Sequence, residues 1–106
     1  MSMKTVNLFR FGDYEVDALA HTLRRQGAPL ALSRRAFDVL LYFVQNPGKP
    51  LSKDELLKTV WADAAVDENS LMQSISVLRR ALDEKRGGNG YIVTLPGRGY
   101  QFISAV

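Results

Sequence analysis

Between Val66 and Phe102 the chain passes from a helix with two unlike faces to a glycine-punctuated strand pair, and this succession restricts the fold more than any other feature. At about 100° per residue, Leu71, Ile75, Leu78 and Leu82 gather on one side of a helix, while Asn69, Gln73, Ser76, Val77 and Arg80 gather on the other. An ordinary solvated face is rich in Lys and Glu. Short amides and hydroxyls instead suit a surface that carries its own donors and acceptors, as base edges in the major groove of a duplex do. The run YIVTLPGRGYQF, from Tyr91 to Phe102, then reads as a hairpin: β-branched and aromatic residues flank a tip where Pro96 presets one dihedral and the glycines permit positive φ. Arg98 makes that tip basic.

Upstream, the hydrophobic period changes. From Val6 to Leu32, short apolar pieces around Leu8, Phe11, Tyr14, Val16, Leu23 and Leu30 are separated by Gly12-Asp13 and Gln26-Gly27, which predicts a small antiparallel sheet over 1–32. Ser33 offers an N-cap, and Phe37, Leu40, Leu41 and Val44 recur at helical spacing until Asn46, Pro47 and Gly48 end the helix. Ser52 and Glu55 form a capping box for a second, short helix whose Leu56, Leu57, Val60 and Trp61 face the core. Asp67 is placed to cap the third helix, which should run to about Glu84, so that 33–84 forms a three-helix core. The glycine-rich run from Lys85 to Gly90 is a connector, and 91–104 forms the hairpin. The whole of 1–106 reads as one α+β domain.

Composition sets outer limits. The 106 residues are 46% apolar and 24% charged, enough for one real core, and include no cysteine, which excludes disulfides, thiolate catalysis and thiolate metal sites. The sequence has no apolar run long enough to cross a bilayer and no signal-peptide pattern, so the expected location is the cytoplasm. A net charge of +3 permits contact with polyanions without identifying one. His21 has neither cysteine nor a carboxylate pair beside it, and no nucleophile can be matched to it, so no metal, no cofactor and no enzymatic activity are expected.

The residues Leu32-Ser33, Phe37, Leu40-Leu41, Leu51-Ser52, Glu55-Leu56, Val60-Trp61, Val66-Asp67, Ser74 to Ser76, Leu78 to Leu82 and Thr94 to Tyr100 closely resemble the DNA-binding domain of OmpR/PhoB-type regulators across essentially the whole chain. Gln73 to Ser76 and the wing with Pro96 and Arg98 to Tyr100 are most similar to the ToxR/CadC branch of bacterial transcription activators. The resemblance implies a winged helix-turn-helix with an N-terminal antiparallel β-sheet of four strands, three helices and a C-terminal β-hairpin wing. It also implies sequence-specific duplex binding for transcription control, in a protein that in this branch usually continues into a transmembrane segment and a sensor. With the domain starting at residue 1, no phosphoacceptor receiver is expected ahead of it.

Carried onto this chain, the resemblance sends the third helix into the major groove, with Asn69, Ser70, Gln73, Ser76, Val77 and Arg80 on its exposed side. Asn69 and Gln73 would pair with adenine and Val77 would touch a thymine methyl. Arg80, Ser70 and the Trp61 indole would hold phosphates, Arg98 would enter the adjacent minor groove, and Thr94 and Tyr100 would offer hydroxyls to the backbone. Family members bind as tandem head-to-tail pairs, and in relatives the loop matching Ala62 to Val66 can touch RNA polymerase; here that loop is short and mostly alanine with Asp63. The departures from the family pattern are Ser76 and Val77 where response regulators often carry arginine, and Gly97 where the branch often has a basic residue. Base contacts should accordingly be fewer, and Arg98 should act alone.

Several residues admit a second reading. Trp61 reads as a core aromatic beside Leu57 as well as a phosphate donor. Arg34 and Arg35 read as solvated first-turn residues, with backbone tracking as the other role. Val77 is expected to be the sole central apolar residue on the outer side of the third helix. The alternative to DNA binding is a winged-helix protein-interaction module built on the same surface.

Overall fold

The computed structural model describes residues 8–62, 68–82, 90–104 and 106. Four short strands open the chain: β1 (Leu8–Phe11), β2 (Tyr14–Asp17), β3 (Thr22–Arg25) and β4 (Ala28–Leu30), hydrogen-bonded in sequence order as an antiparallel meander. The register aligns Phe9 with Val16, Val16 with Leu23 and Leu23 with Leu30, so one apolar row crosses the sheet. The row one step over aligns Arg10, Glu15 and Arg24 on the opposite face. Alternation thus gives one face to the core and one to water. On the wet face Arg10 Nε donates to Glu15 Oε2 at 3.2 Å.

Helix α1 (Arg34–Gln45) begins where Ser33 Oγ accepts from the Ala36 N–H at 3.2 Å, as the capping pattern predicts. It ends at Asn46, whose side-chain Nδ2 donates to the Tyr42 carbonyl at 2.9 Å, satisfying one of the carbonyls a helix end leaves open. Phe37, Val39, Leu40, Phe43 and Val44 are buried on it, so α1 is the central post of the fold. Helix α2 (Lys53–Val60) is capped by Ser52, whose Oγ accepts from the Glu55 N–H at 3.0 Å, and the Glu55 carboxylate accepts from the Tyr42 hydroxyl at 2.8 Å, binding α2 to α1. Helix α3 (Glu68–Ala81) buries Leu71, Ser74, Ile75 and Leu78 against the other two. The expected cap Asp67, the helix end near Glu84, the loop positions 63–66 and 85–89 and the start of the first strand at Val6 lie outside the described residues.

One element was not foreseen. β5 (Pro50–Ser52) pairs antiparallel with β7 (Gly99–Phe102), which also pairs with β6 (Ile92–Leu95), so the expected hairpin is a three-stranded sheet in the order β5-β7-β6. Gly99 makes this approach possible. Its φ is +144°, and a Cβ there would sit 2.0 Å from the Leu51 carbonyl oxygen. The two sheets are fastened by aromatic rings: Phe11 meets Tyr91 and Phe102 edge-on at 5.1 Å and 5.0 Å, and Phe102 stacks on Phe43 at 6.1 Å. This cluster fixes the wing relative to α1 and, through α1, relative to α3.

Candidate nucleic-acid interface

Packing of Leu71, Ile75 and Leu78 into the core turns the opposite side of α3 outward, and Asn69, Gln73, Ser76, Val77 and Arg80 are all exposed there. Ser70 lies half-buried at one edge. Val77 is not the sole apolar residue outside: Met72 is 49% exposed and Val77 36%. Five positions separate the two, roughly 140° around the helix, so the amides and hydroxyls stand between them and no continuous apolar patch forms.

The start of α3 is held by an ion pair. Lys53 Nζ on the first residue of α2 donates to Glu68 Oε2 on the first residue of α3, and this bond raises the lysine pKa. The other end is held by Arg79, a residue whose part the sequence did not reveal. Its Nη2 donates to the Ile92 carbonyl at 3.0 Å and to Thr94 Oγ1 at 2.8 Å, so α3 grips the outer strand of the wing directly. The sequence held a clue: Arg79 stands about 100° from Arg80, off the outward face. Its partners lie 13 and 15 residues away and could not be assigned without the fold.

At the wing tip, Pro96, Gly97 and Arg98 are exposed, and the turn is closed by the Arg98 N–H donating to the Leu95 carbonyl at 2.8 Å. Thr94 is exposed; a hydroxyl that accepts from Arg79 keeps its own O–H to donate. Two of the candidate contact residues are largely buried, Trp61 in line with its reading as a core aromatic. Tyr100 is 5% exposed: it is paired in register with Leu51 and Thr94 and lies on the same face of β7 as the fully buried Phe102. Trp61 is 6% exposed, and only an edge of it reaches an open depression lined also by Ser33, Arg35, Ser70, Gln73 and Val77. Arg35 is likewise not the solvated residue expected: it is half-buried and donates to the Val60 carbonyl. Arg34 remains exposed, 4.0 Å from Asp38. His21 packs its ring 4.9 Å from that of Phe37 at the start of α1. Among the described residues no helix is long and apolar enough to cross a membrane.

The arrangement is therefore a helix with an outward polar face, clamped at both ends, beside a β-sheet that ends in a cation. Residues 27–102 match the family described as "Transcriptional regulatory protein, C terminal". The chain is 38% identical over 98 residues to the transcriptional activator CadC of Escherichia coli, covering 92% of the chain but only 19% of that protein's length. Its structure superposes on the DNA-binding domain of E. coli CadC with a TM-score of 0.80 and 36% identity, covering 94% of each. It superposes on the Klebsiella pneumoniae RstA DNA-binding domain, solved in complex with the RstA box, with a TM-score of 0.78 and 28% identity, covering 91% of this chain and 96% of that one. Motif, architecture and these likenesses agree, and the chain belongs to the OmpR/PhoB-type family of transcriptional regulatory protein C-terminal domains.

Proposed function

We propose that this domain binds duplex DNA sequence-specifically and thereby regulates transcription, with α3 in the major groove and the wing on the adjacent minor groove. The observation that carries the reading is the joining of two features by Arg79: the outward set Asn69, Gln73, Ser76, Val77 and Arg80 on α3, and the hairpin that ends at Arg98. A rigid coupling of helix to wing lets one docking event place both. Similarity to an activator and to two DNA-binding domains supports the same reading.

Within it, Asn69 and Gln73 present carboxamides able to pair bidentately with adenine, Ser76 offers a hydroxyl, and Val77 suits a thymine methyl. Arg80, Ser70 and the Thr94 hydroxyl suit phosphates, and Arg98 suits a narrow minor groove. Trp61 contributes at most its exposed edge, and Tyr100 supports the wing from inside. With a net charge of only +3 and few base contacts, one copy binds weakly, and tandem copies on adjacent half-sites raise the effective concentration.

Selection of bound sequences from a random duplex library, followed by titration of the enriched site across a salt series, tests this reading. It predicts an enriched motif and an affinity that falls log-linearly with salt, by about 0.9 in slope per phosphate contacted. An unenriched pool, or binding indifferent to salt, contradicts it.

A further inference from the structure

Met72 is 49% exposed on α3, four positions after Glu68 and seven before Arg79. At about 100° per residue the three stand within roughly 40° of one another, on the flank of α3 that Arg79 turns to the wing. The two charges of this flank are engaged inside the protein: Glu68 accepts from Lys53, and Arg79 donates to the Ile92 carbonyl and to Thr94. Met72 lies between them with about half of its surface open. Val77, also exposed, stands on the far flank, beside the depression that Trp61 edges. Asn69, Gln73, Ser76 and Arg80 occupy the arc from Met72 to Val77. The outward side of α3 is thus a polar stripe bracketed by two apolar side chains.

A single apolar residue on a surface needs no ligand to explain it, so place decides. The apolar group that base edges present in the major groove is the thymine C5-methyl, and beside it stand donors and acceptors that suit amides and hydroxyls. A stripe of amides and hydroxyls with an apolar residue on each border matches that alternation. Methionine suits the border position because its unbranched thioether chain, with three rotatable bonds, reaches a small apolar target from the flank of a helix. We infer, resting on the DNA-binding reading above, that Met72 is a specificity-determining residue that packs its thioether against a thymine methyl on the wing side of α3, with Val77 against a second one on the far side. At the helix surface the two residues stand roughly 12 Å apart, so one methyl cannot serve both. The site this domain selects therefore carries two separately read thymines, with the bases read by the amides between them.

The test replaces each thymine of a selected duplex in turn by deoxyuridine, which removes the C5-methyl and keeps every hydrogen-bonding group. Binding is measured for the unaltered domain, Met72→Ala, Met72→Leu and Val77→Ala. For the unaltered domain, two of the replacements should each weaken binding about fourfold, the worth of one buried methyl. Met72→Ala should be indifferent to one of these two and keep the other penalty, Val77→Ala should show the reverse, and Met72→Leu should keep both. Salt slopes should be equal throughout, since no phosphate contact changes. Both side chains are exposed, so melting temperatures should hold. In the unaltered domain, the Met72 ε-methyl should show a nuclear Overhauser contact to the thymine methyl, a readout independent of how any variant folds. A Met72→Ala protein that keeps every deoxyuridine penalty of the unaltered domain, or a Met72 methyl without contact to the duplex, overturns the assignment and leaves Met72 an ordinary surface residue. Absence of duplex binding by the unaltered domain overturns the DNA reading itself.

Discussion

Arg79 Nη2 lies 2.8 Å from Thr94 Oγ1, so the third helix holds the wing by a charged side chain while Arg80, its neighbour, faces outward. The same Nη2 also reaches the Ile92 carbonyl, and a hydrogen bond from a charged donor to a partly buried acceptor stabilises more than a neutral one. Arg79→Met keeps the apolar stem and removes the tether. It should lower the free energy of unfolding by about 1–2 kcal/mol, seen in urea as a reduced midpoint with an unchanged slope. It should also weaken DNA binding, since the wing then loses its fixed place beside α3.

Gly99→Ala should cost more. Its Cβ would meet the Leu51 carbonyl oxygen at 2.0 Å and the Ser52 Cα at 2.8 Å, both backbone atoms that cannot move aside without separating β5 from β7. Together with the positive φ, the loss should exceed about 2 kcal/mol in thermal or urea unfolding. Amide exchange should rise at Leu51 and Tyr100, which face each other across this pairing.

How far the sequence foretold these features depends on how local their causes are. The caps at Ser33 and Ser52 were legible because a hydroxyl three residues ahead of an N–H acts within one turn. The helical stripes and a small N-terminal antiparallel sheet, whose count of four strands came from the family resemblance, were legible because period and turn chemistry are written in neighbouring residues. β5 was not: three residues beginning with Pro50 carry no alternation, and only the return of β7 makes them a strand. Tyr100 is buried because it shares a face of β7 with Phe102. Trp61 and Arg35 were ambiguous because each has an apolar body and a polar end, and only a partner distant in sequence decides which end matters.

The roles proposed for the outward residues separate by what their loss changes. Gln73→Ala should relax preference at one base position by about 1–3 kcal/mol and leave other positions alone. Arg98→Ala should weaken all duplexes and lower the salt slope by about one. Binding to a panel of single-base variants of the selected site distinguishes the two; a uniform loss for Gln73→Ala would make that residue a backbone contact.

Stability should also fall on the alkaline side. The Tyr42 hydroxyl donates to Glu55 Oε2, and this bond holds the phenol above its ordinary pKa of 10.0. The folded-state pKa exceeds the unfolded one, so the contribution is complete below about pH 10 and is lost as pH climbs through the folded value. Lys53, raised by its bond to Glu68, titrates in the same direction. Tyr42→Phe isolates the phenol: the variant should be less stable at neutral pH and should lose less on going to high pH, measured by urea unfolding at each pH.

The structure of this domain bound to its selected duplex tests the central claim most directly. The account predicts the Asn69 and Gln73 carboxamides within hydrogen-bonding distance of base edges in the major groove, with Arg98 in or along the neighbouring minor groove. A complex in which α3 faces away from the duplex, or in which the charged face of the N-terminal sheet makes the contact instead, would contradict it.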